Sequence, residues 1–376
     1  MKRMIYILLA ASLCLCGCTD AAPAQTTIET TTTPTTATTP ATIIPVKQAP
    51  MYAISLPVIT EFTNAEDGVS VFSHVYQNIS LTLPESEVAD KIILDFLNRT
   101  DTTQTATELS EAAKAAYAQG TGEFMLYMCS TTYEPVRLDS SVLSLVGTVS
   151  VFSGGTHPEN ISTAVTYDLL TGLPLSSSAV LQETVSVDEL ISLITEALAP
   201  QADHLYEDYI SLVSDKFSGG IDQNPDWYFS TDGLCFFFSP YEIGPFASGT
   251  CVATIPYGKL TGILRDAYFP AERDIASGKI QMTPYAEADL SSFTQFTEIT
   301  TSPGSEKVLL HTDGMVHDIR ITQKTVVHPY TSFVPSFTVF AAYTLTPGDA
   351  IVLETDRSAT VTYTSGSEQL TETFDP

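Results

Sequence analysis

The sequence predicts an α+β fold: antiparallel sheet with packed helices, followed by a small C-terminal all-β, sandwich-like domain. Three observations predict it. Strands and helices come in blocks, tight-turn signals join neighbouring strands, and helical periodicity fades after Pro270.

The blocks run as follows. Val58 to Ser80 reads as strand, because polar and apolar residues alternate from Val69 to Tyr76, and Ile79, Leu81 and Leu83 share one face. Pro84 opens a helix in which Val88, Ile92 and Phe96 recur every fourth residue. Glu85 and Glu87 sit in its first turn, where negative charge suits the helix dipole. The Ala-rich stretch from Glu108 to Ala118 predicts a second helix. Phe124 to Tyr133, Val142 to Phe152 and Ser162 to Asp168 predict strands, with tight turns at Ser153-Gly154-Gly155 and Leu170-Thr171-Gly172. The clearest helix is Val187 to Leu198. Ser186 and Glu189 have capping-box spacing, and Val185 and Leu190 can form the hydrophobic staple. Its apolar face is Val187, Leu190, Ile191, Ile194 and Leu198. A further helix is expected from His204 to Lys216, then strands at Trp227 to Phe238 and Gly249 to Ile255, and a short helix at Lys259 to Leu264. Beyond Pro270 short strands dominate: Val308 to His311, Val316 to Thr322, Phe333 to Leu345, Ala350 to Thr355 and Ala359 to Thr364. These blocks divide the folded part into an α+β domain over 51–270 and a β-rich domain over 271–376.

The chain opens with Lys2 and Arg3, an apolar run from Met4 to Cys16, then Gly17 and Cys18. That run is shorter than the roughly 20 residues a spanning helix needs and fits the core of a secretory signal peptide. Leu15-Cys16-Gly17-Cys18 resembles a lipobox, so residues 1–18 read as a lipoprotein signal peptide, with Cys18 the residue that receives lipid. The expected location is the extracytoplasmic face of the cell membrane, anchored by lipid. Residues 19–50 are Thr- and Pro-rich, with eleven threonines between Thr26 and Thr42 and prolines at 34, 40, 45 and 50. Such a stretch has too little apolar surface to offset its ordering entropy and reads as a disordered tether.

The charge is lopsided: 16 Lys and Arg against 44 Asp and Glu, for a net −28. Removing Lys2 and Arg3 leaves a mature chain near −30. Nucleic acid and anionic lipid headgroups are poor partners for such a surface, whereas a cationic partner is drawn in. After Cys18 the cysteines are Cys129, Cys235 and Cys251. Cys235 and Cys251 flank a turn-rich stretch. A hairpin there would set them nearly opposite, within reach of a disulfide, and buried free thiols are the alternative.

The order of several short motifs is more informative than any one of them. Ser153-Gly154-Gly155-Thr156-His157-Pro158 is followed by Thr166-Tyr167-Asp168-Leu169-Leu170-Thr171-Gly172. Then come Asp232-Gly233-Leu234-Cys235, Ser239-Pro240-Tyr241-Glu242-Ile243-Gly244-Pro245-Phe246 and Ile255-Pro256-Tyr257. Over roughly residues 52–268 this succession resembles the extracytoplasmic domain shared by the lysozyme-sensing anti-sigma factor RsiV and the front part of the peptidoglycan deacetylase PdaC. The resemblance implies a sensing or binding module, with lysozyme as one class of ligand. Two departures limit it. A lipobox stands where RsiV-like proteins have a sigma-binding segment and a spanning helix, and the C-terminal segment lacks the paired histidines of a deacetylase.

The loop residues Tyr241, Glu242, Ile243 and Phe246, with His157, are the candidate ligand-binding residues, since aromatic side chains concentrate at interface hot spots. His157 also reads as part of a tight turn shaped by its glycines. No metal site or cofactor is expected. His311 and His317 lie six apart on strand-like sequence, on one face, without a third ligand. Asp222, Asn224 and Asp226 alternate as in a calcium loop, yet Trp227 stands where that loop needs glycine. There is no nucleophile elbow and no P-loop. The reading is therefore a non-enzymatic, lipid-anchored binding module for lysozyme or a cell-wall ligand such as peptidoglycan. Its rivals are an envelope hydrolase using paired carboxylates and a structural lipoprotein of an envelope assembly.

Overall fold

The computed structural model describes residues 51–120, 124–222, 226–332 and 334–375. The expected signal peptide over 1–18 with Cys18, the expected tether over 19–50 and Asn224 lie outside the described residues. In chain order, β1 (Ala53–Ser55), β2 (Val58–Asn64), β3 (Ser70–Gln77) and β4 (Ser80–Thr82) precede α1 (Ser86–Thr100) and α2 (Thr103–Gln119). Three long strands follow: β5 (Tyr127–Leu138), β6 (Val142–Phe152) and β7 (Glu159–Asp168). Then come α3 (Ser177–Val180), α4 (Val187–Leu198), α5 (Tyr209–Lys216), β8 (Trp227–Phe229), β9 (Gly233–Phe238) and β10 (Cys251–Pro256). The rest is strand joined by turns and short 3₁₀ segments: β11 (Ile280–Pro284), β12 (Gln295–Glu298), β13 (Lys307–Thr312), β14 (Val316–Lys324), β15 (Ser336–Leu345), β16 (Asp349–Glu354), β17 (Ala359–Ser365) and β18 (Glu368–Phe374). Among the described residues no helix is long and apolar enough to cross a membrane.

The fold is α+β, with several largely antiparallel sheets, few helices and a β-rich C-terminal region. A five-stranded sheet runs β2-β3-β5-β6-β7, with β3 and β5 parallel and the other neighbours antiparallel. Helices α1 and α2 fill the crossover between β3 and β5, because a parallel pair needs a long connection. Helix α1 buries Val88, Ile92 and Phe96 against Tyr133, Leu143 and Leu145 of this sheet. The expected second helix begins earlier than Glu108: Asp101 Oδ1 accepts from Thr103 N at 3.0 Å and starts the turn there.

A three-stranded antiparallel sheet, β10-β9-β8, packs on α4 and α5 around Leu190, Ile194, Leu198, Phe236 and Phe238. Ser186 caps α4 as expected, its Oγ accepting from Glu189 N at 3.1 Å. Three expectations change here. Trp227 to Phe238 is two strands, because Ser230 N donates to Gly233 O at 2.9 Å and reverses the chain. The helix expected from His204 starts only at Tyr209. Tyr206 N instead donates to Ile243 O at 2.9 Å, and Leu205 is extended. The segment expected as a helix from Lys259 to Leu264 is a 3₁₀ turn at Tyr257–Lys259 followed by further turns.

The C-terminal strands enter a six-stranded sheet, β18-β17-β14-β15-β1-β4, and form a four-stranded sheet, β11-β13-β16-β12. One core lies between them: Ile280, Leu310, Ile351 and Leu353 meet Ile319, Ile321, Phe340 and Tyr363. A division at residue 270 does not separate this layer from the rest. Two of its six strands, β1 and β4, come from the N-terminal end, with Ala53 opposite Ala342 and Thr82. The described residues fall in one compact unit. The composition shift at 270 marks where helices stop, not where a core ends.

One buried ion pair ties the long five-stranded sheet to the α4–β10 layer. Arg137 and Asp139 on and after β5 are 2.7 Å apart, with both side chains 3 % exposed. The guanidinium lies between the rings of Phe229 and Tyr257, 5.0 and 5.4 Å from their centroids. It donates to Tyr257 OH at 2.6 Å and to Tyr268 O at 2.8 Å. Tyr257 of the Ile255-Pro256-Tyr257 motif is thus a structural clasp.

Candidate functional site: an exposed aromatic face

Two loops build the face. The first is the β6–β7 hairpin, where Gly154 takes φ +90° and packs under the Tyr127 ring, 3.1 Å from where a Cβ would sit. His157 follows, exposed at the tip. The second is the loop between β9 and β10. Tyr241 N donates to Gly244 O at 3.0 Å and Glu242 N to Ser239 O at 3.1 Å, which folds Ser239 to Gly244 into a tight knot. His157 stacks on Phe246 with ring centroids 4.7 Å apart and 28° between planes, and the Tyr241 ring centroid lies 5.7 Å from that of Phe246. Tyr241 is 62 % exposed and Phe246 37 %. Ser162 and Thr250 hydroxyls, 2.7 Å apart, tie β7 to the end of the second loop.

Only three of the five expected residues therefore form the surface. Ile243 is fully buried in the α4–β10 core and pins the loop from beneath. Glu242 is committed to structure: Oε2 accepts from Ser239 N at 2.7 Å, and Oε1 pairs with Lys216 at the end of α5. Lys216 also reaches Asp226 at 3.9 Å. Lys216 is the residue the sequence reading missed, and its only sequence signal was a cation closing an expected helix. Gly244 sits 3.0 Å, measured to an added Cβ, from His204 O, so only glycine lets the loop approach α5's leading segment this closely. The face is aromatic above, and an ion pair holds its loop below.

Cys235 and Cys251 are both free and buried. β9 and β10 do pair, but Cys235 stands opposite Thr254 and Cys251 opposite Phe238. An offset of three residues sends the two thiols to opposite faces of the sheet, so the expected hairpin does not bring them together. His311 and His317 do not share a face either. The chain turns between β13 and β14, leaving His311 against Thr283 at 3.1 Å and His317 buried between Thr344 and Asp274 O. Asp222 is spent on helix α3, accepting from Ser178 N at 2.8 Å.

The second loop falls inside a segment that matches a family model. Residues 182–258 match the family model described as "Protein of unknown function (DUF3298)". A crystal structure of a DUF3298 family member from Bacteroides fragilis is similar at 16 % identity and a TM-score of 0.44, covering 57 % of this chain and 94 % of that one. A DUF3298 family protein from Pseudomonas aeruginosa is similar at 16 % identity and a TM-score of 0.38, covering 58 % and 98 %. No curated protein matches. The matched segment carries Tyr241 and Phe246. His157, from the hairpin before it, completes the face.

Proposed function

We propose that this chain is a non-enzymatic binding module, anchored by lipid at Cys18 on the extracytoplasmic face of the cell membrane. In this reading its aromatic face engages a cationic protein such as lysozyme, with peptidoglycan as the second candidate ligand. The observation that carries it is the cluster of His157, Phe246 and Tyr241: aromatic rings exposed on a support latched by Lys216 and Glu242. Exposed aromatics on a rigid base lose little entropy on binding and make good anchors. The net charge of −28 supports a cationic partner, which such a field steers toward the surface. The lipobox and the RsiV-like succession of motifs support the location and the class of ligand.

The test is binding of residues 51–376 to lysozyme and to peptidoglycan at physiological salt. We expect lysozyme to bind and the double variant Tyr241→Ala, Phe246→Ala to weaken it at least tenfold, about 1.4 kcal/mol or more, with the fold retained. Absence of binding to both ligands would overturn the reading, as would full affinity in the double variant. Anchoring is tested separately: Cys18→Ser should shift the full chain from the membrane fraction to the soluble one.

A further inference from the structure

A concavity elsewhere in the fold shares no lining residue with the aromatic face. It is a cleft of 630 Å³ between the β2–β3–β5 side of the long sheet and the helices α1 and α2. That size is within the usual range of roughly 300–1,000 Å³ for small-molecule sites. Its lining is largely polar and aromatic, and among the described residues no lysine or arginine lines it. Three carboxylates do: Glu61, Asp101 and Glu111. Glu111 is already paired with Lys114 at 2.9 Å, and Arg99 nearby is turned onto Asp95. Among the described residues, Glu61 and Asp101 have no cation other than the His74 ring between them. Glu61 accepts from Tyr76 OH at 3.2 Å and stands 4.0 Å from His74 Nδ1. Burial pushes the His74 pKa down, against the pull of Glu61 and Asp101, so the ring adds no positive charge at neutral pH. His74 Nε2 is occupied by Thr102 Oγ1 at 3.1 Å, and its ring lies 4.8 Å from that of Tyr76.

The inner wall supplies an independent sign of a ligand. Thr131 lines the cleft at 2 % exposure, and its Oγ1 has no hydrogen-bond partner among the described residues. A buried hydroxyl is ordinarily paired, because leaving one unpaired costs free energy. An acidic rim, aromatic walls and an unpaired inner hydroxyl together match a small molecule with one positive end and a polar body. Carboxylates hold an ammonium by charge, and ring faces add cation–π attraction.

We propose that this cleft binds a small organic cation of amino-sugar or basic amino-acid size. Its primary ammonium would be held between Glu61 and Asp101 beside Tyr76, and a polar group of its body would meet Thr131. The site uses none of the residues of the aromatic face, so the two proposals stand or fall separately.

The probes are glucosamine, its neutral counterpart N-acetylglucosamine, and L-lysine, titrated into the full-length protein by calorimetry. Glucosamine and lysine should bind, and glucosamine at least tenfold tighter than N-acetylglucosamine. Glu61→Gln with Asp101→Asn should lower amine affinity tenfold or more. Both are surface changes, and the side-chain amide oxygen that Asp101→Asn leaves in place can still accept from the first turn of α2. Thr131→Val, close in shape, should lower affinity several-fold with an unchanged melting profile. Equal affinity for N-acetylglucosamine would overturn the proposal in favour of a neutral sugar site. No binding of either amine, or full amine affinity in the double carboxylate variant, would also overturn it.

Discussion

Tyr241 holds its ring in place at a backbone cost. Its φ of +73° lies in the left-handed region, which disfavours a side-chain-bearing residue by roughly 1–2 kcal/mol. Strain of this kind persists where the surroundings fix it and where the side chain has a use. Tyr241→Gly should therefore raise the urea midpoint, by about 0.5–1 kcal/mol of stability after glycine's own entropy is counted, while lowering lysozyme affinity. A variant that loses binding and gains stability separates the ring's role from the loop's. His74 offers a second check at this scale. Burial sets its folded pKa below the ordinary 6.5, so the native state favours the neutral ring. The stability this ring contributes is present above about 6.5 and is lost as pH falls through the depressed folded value. An NMR titration should find His74 below 6.5, and His74→Gln should flatten that part of the acid-side loss. The sequence made Tyr241, Phe246 and His157 legible as loop residues with large faces. It could not separate them from Ile243 and Glu242, because an irregular loop has no period to say which side chains point inward.

Elements were legible where local signals agreed with the tertiary setting. Helix α4 has its cap, its staple and its apolar stripe in one stretch, and the structure keeps all of them. The stretch after His204 looked equally helical, but Ile243 O competes for the amide of Tyr206 from another part of the chain. The long apolar run from Trp227 hid a reversal at Ser230 to Gly233 because every strand residue of β9 is buried and shows no alternation. Gly233 is the most confined residue of that reversal. A Cβ there would stand 2.0 Å from Ile255 O, a backbone atom that cannot step aside. Gly233→Ala should destabilise the protein by about 3 kcal/mol, read as a shifted denaturant midpoint, by forcing β9 and β10 apart. The acidic cleft had no sequence signature, since its walls come from β2, β3, β5 and both crossover helices, and only the parallel β3–β5 pairing gathers them.

At the scale of the whole molecule, the six-stranded sheet is closed by residues from both ends of the folded chain. Ile54 and Leu56 are fully buried, and their neighbours include Ala341 from β15 together with α1 and the long sheet. Removing residues 271–376 would strip β15 from β1 and expose this apolar seam. Residues 51–270 made alone should therefore lack a cooperative unfolding transition and aggregate, whereas residues 51–376 should unfold in one step. Independent folding of the shorter piece would show that the boundary at 270 is real after all.

The place of β1 also sets a clock. A ribosome releases Ala53 about 290 residues ahead of Ala342, its partner in β15, and at roughly 5–20 residues per second that gap lasts about 15–60 s. For that interval β1 can pair with β4 on one edge but has no β15 on the other, so the native sheet cannot close and the open edge depends on whatever shields it from its neighbours. Under the proposed export the same delay is useful: a protein whose first strand waits for β15 to complete its sheet stays pliable until most of it has emerged.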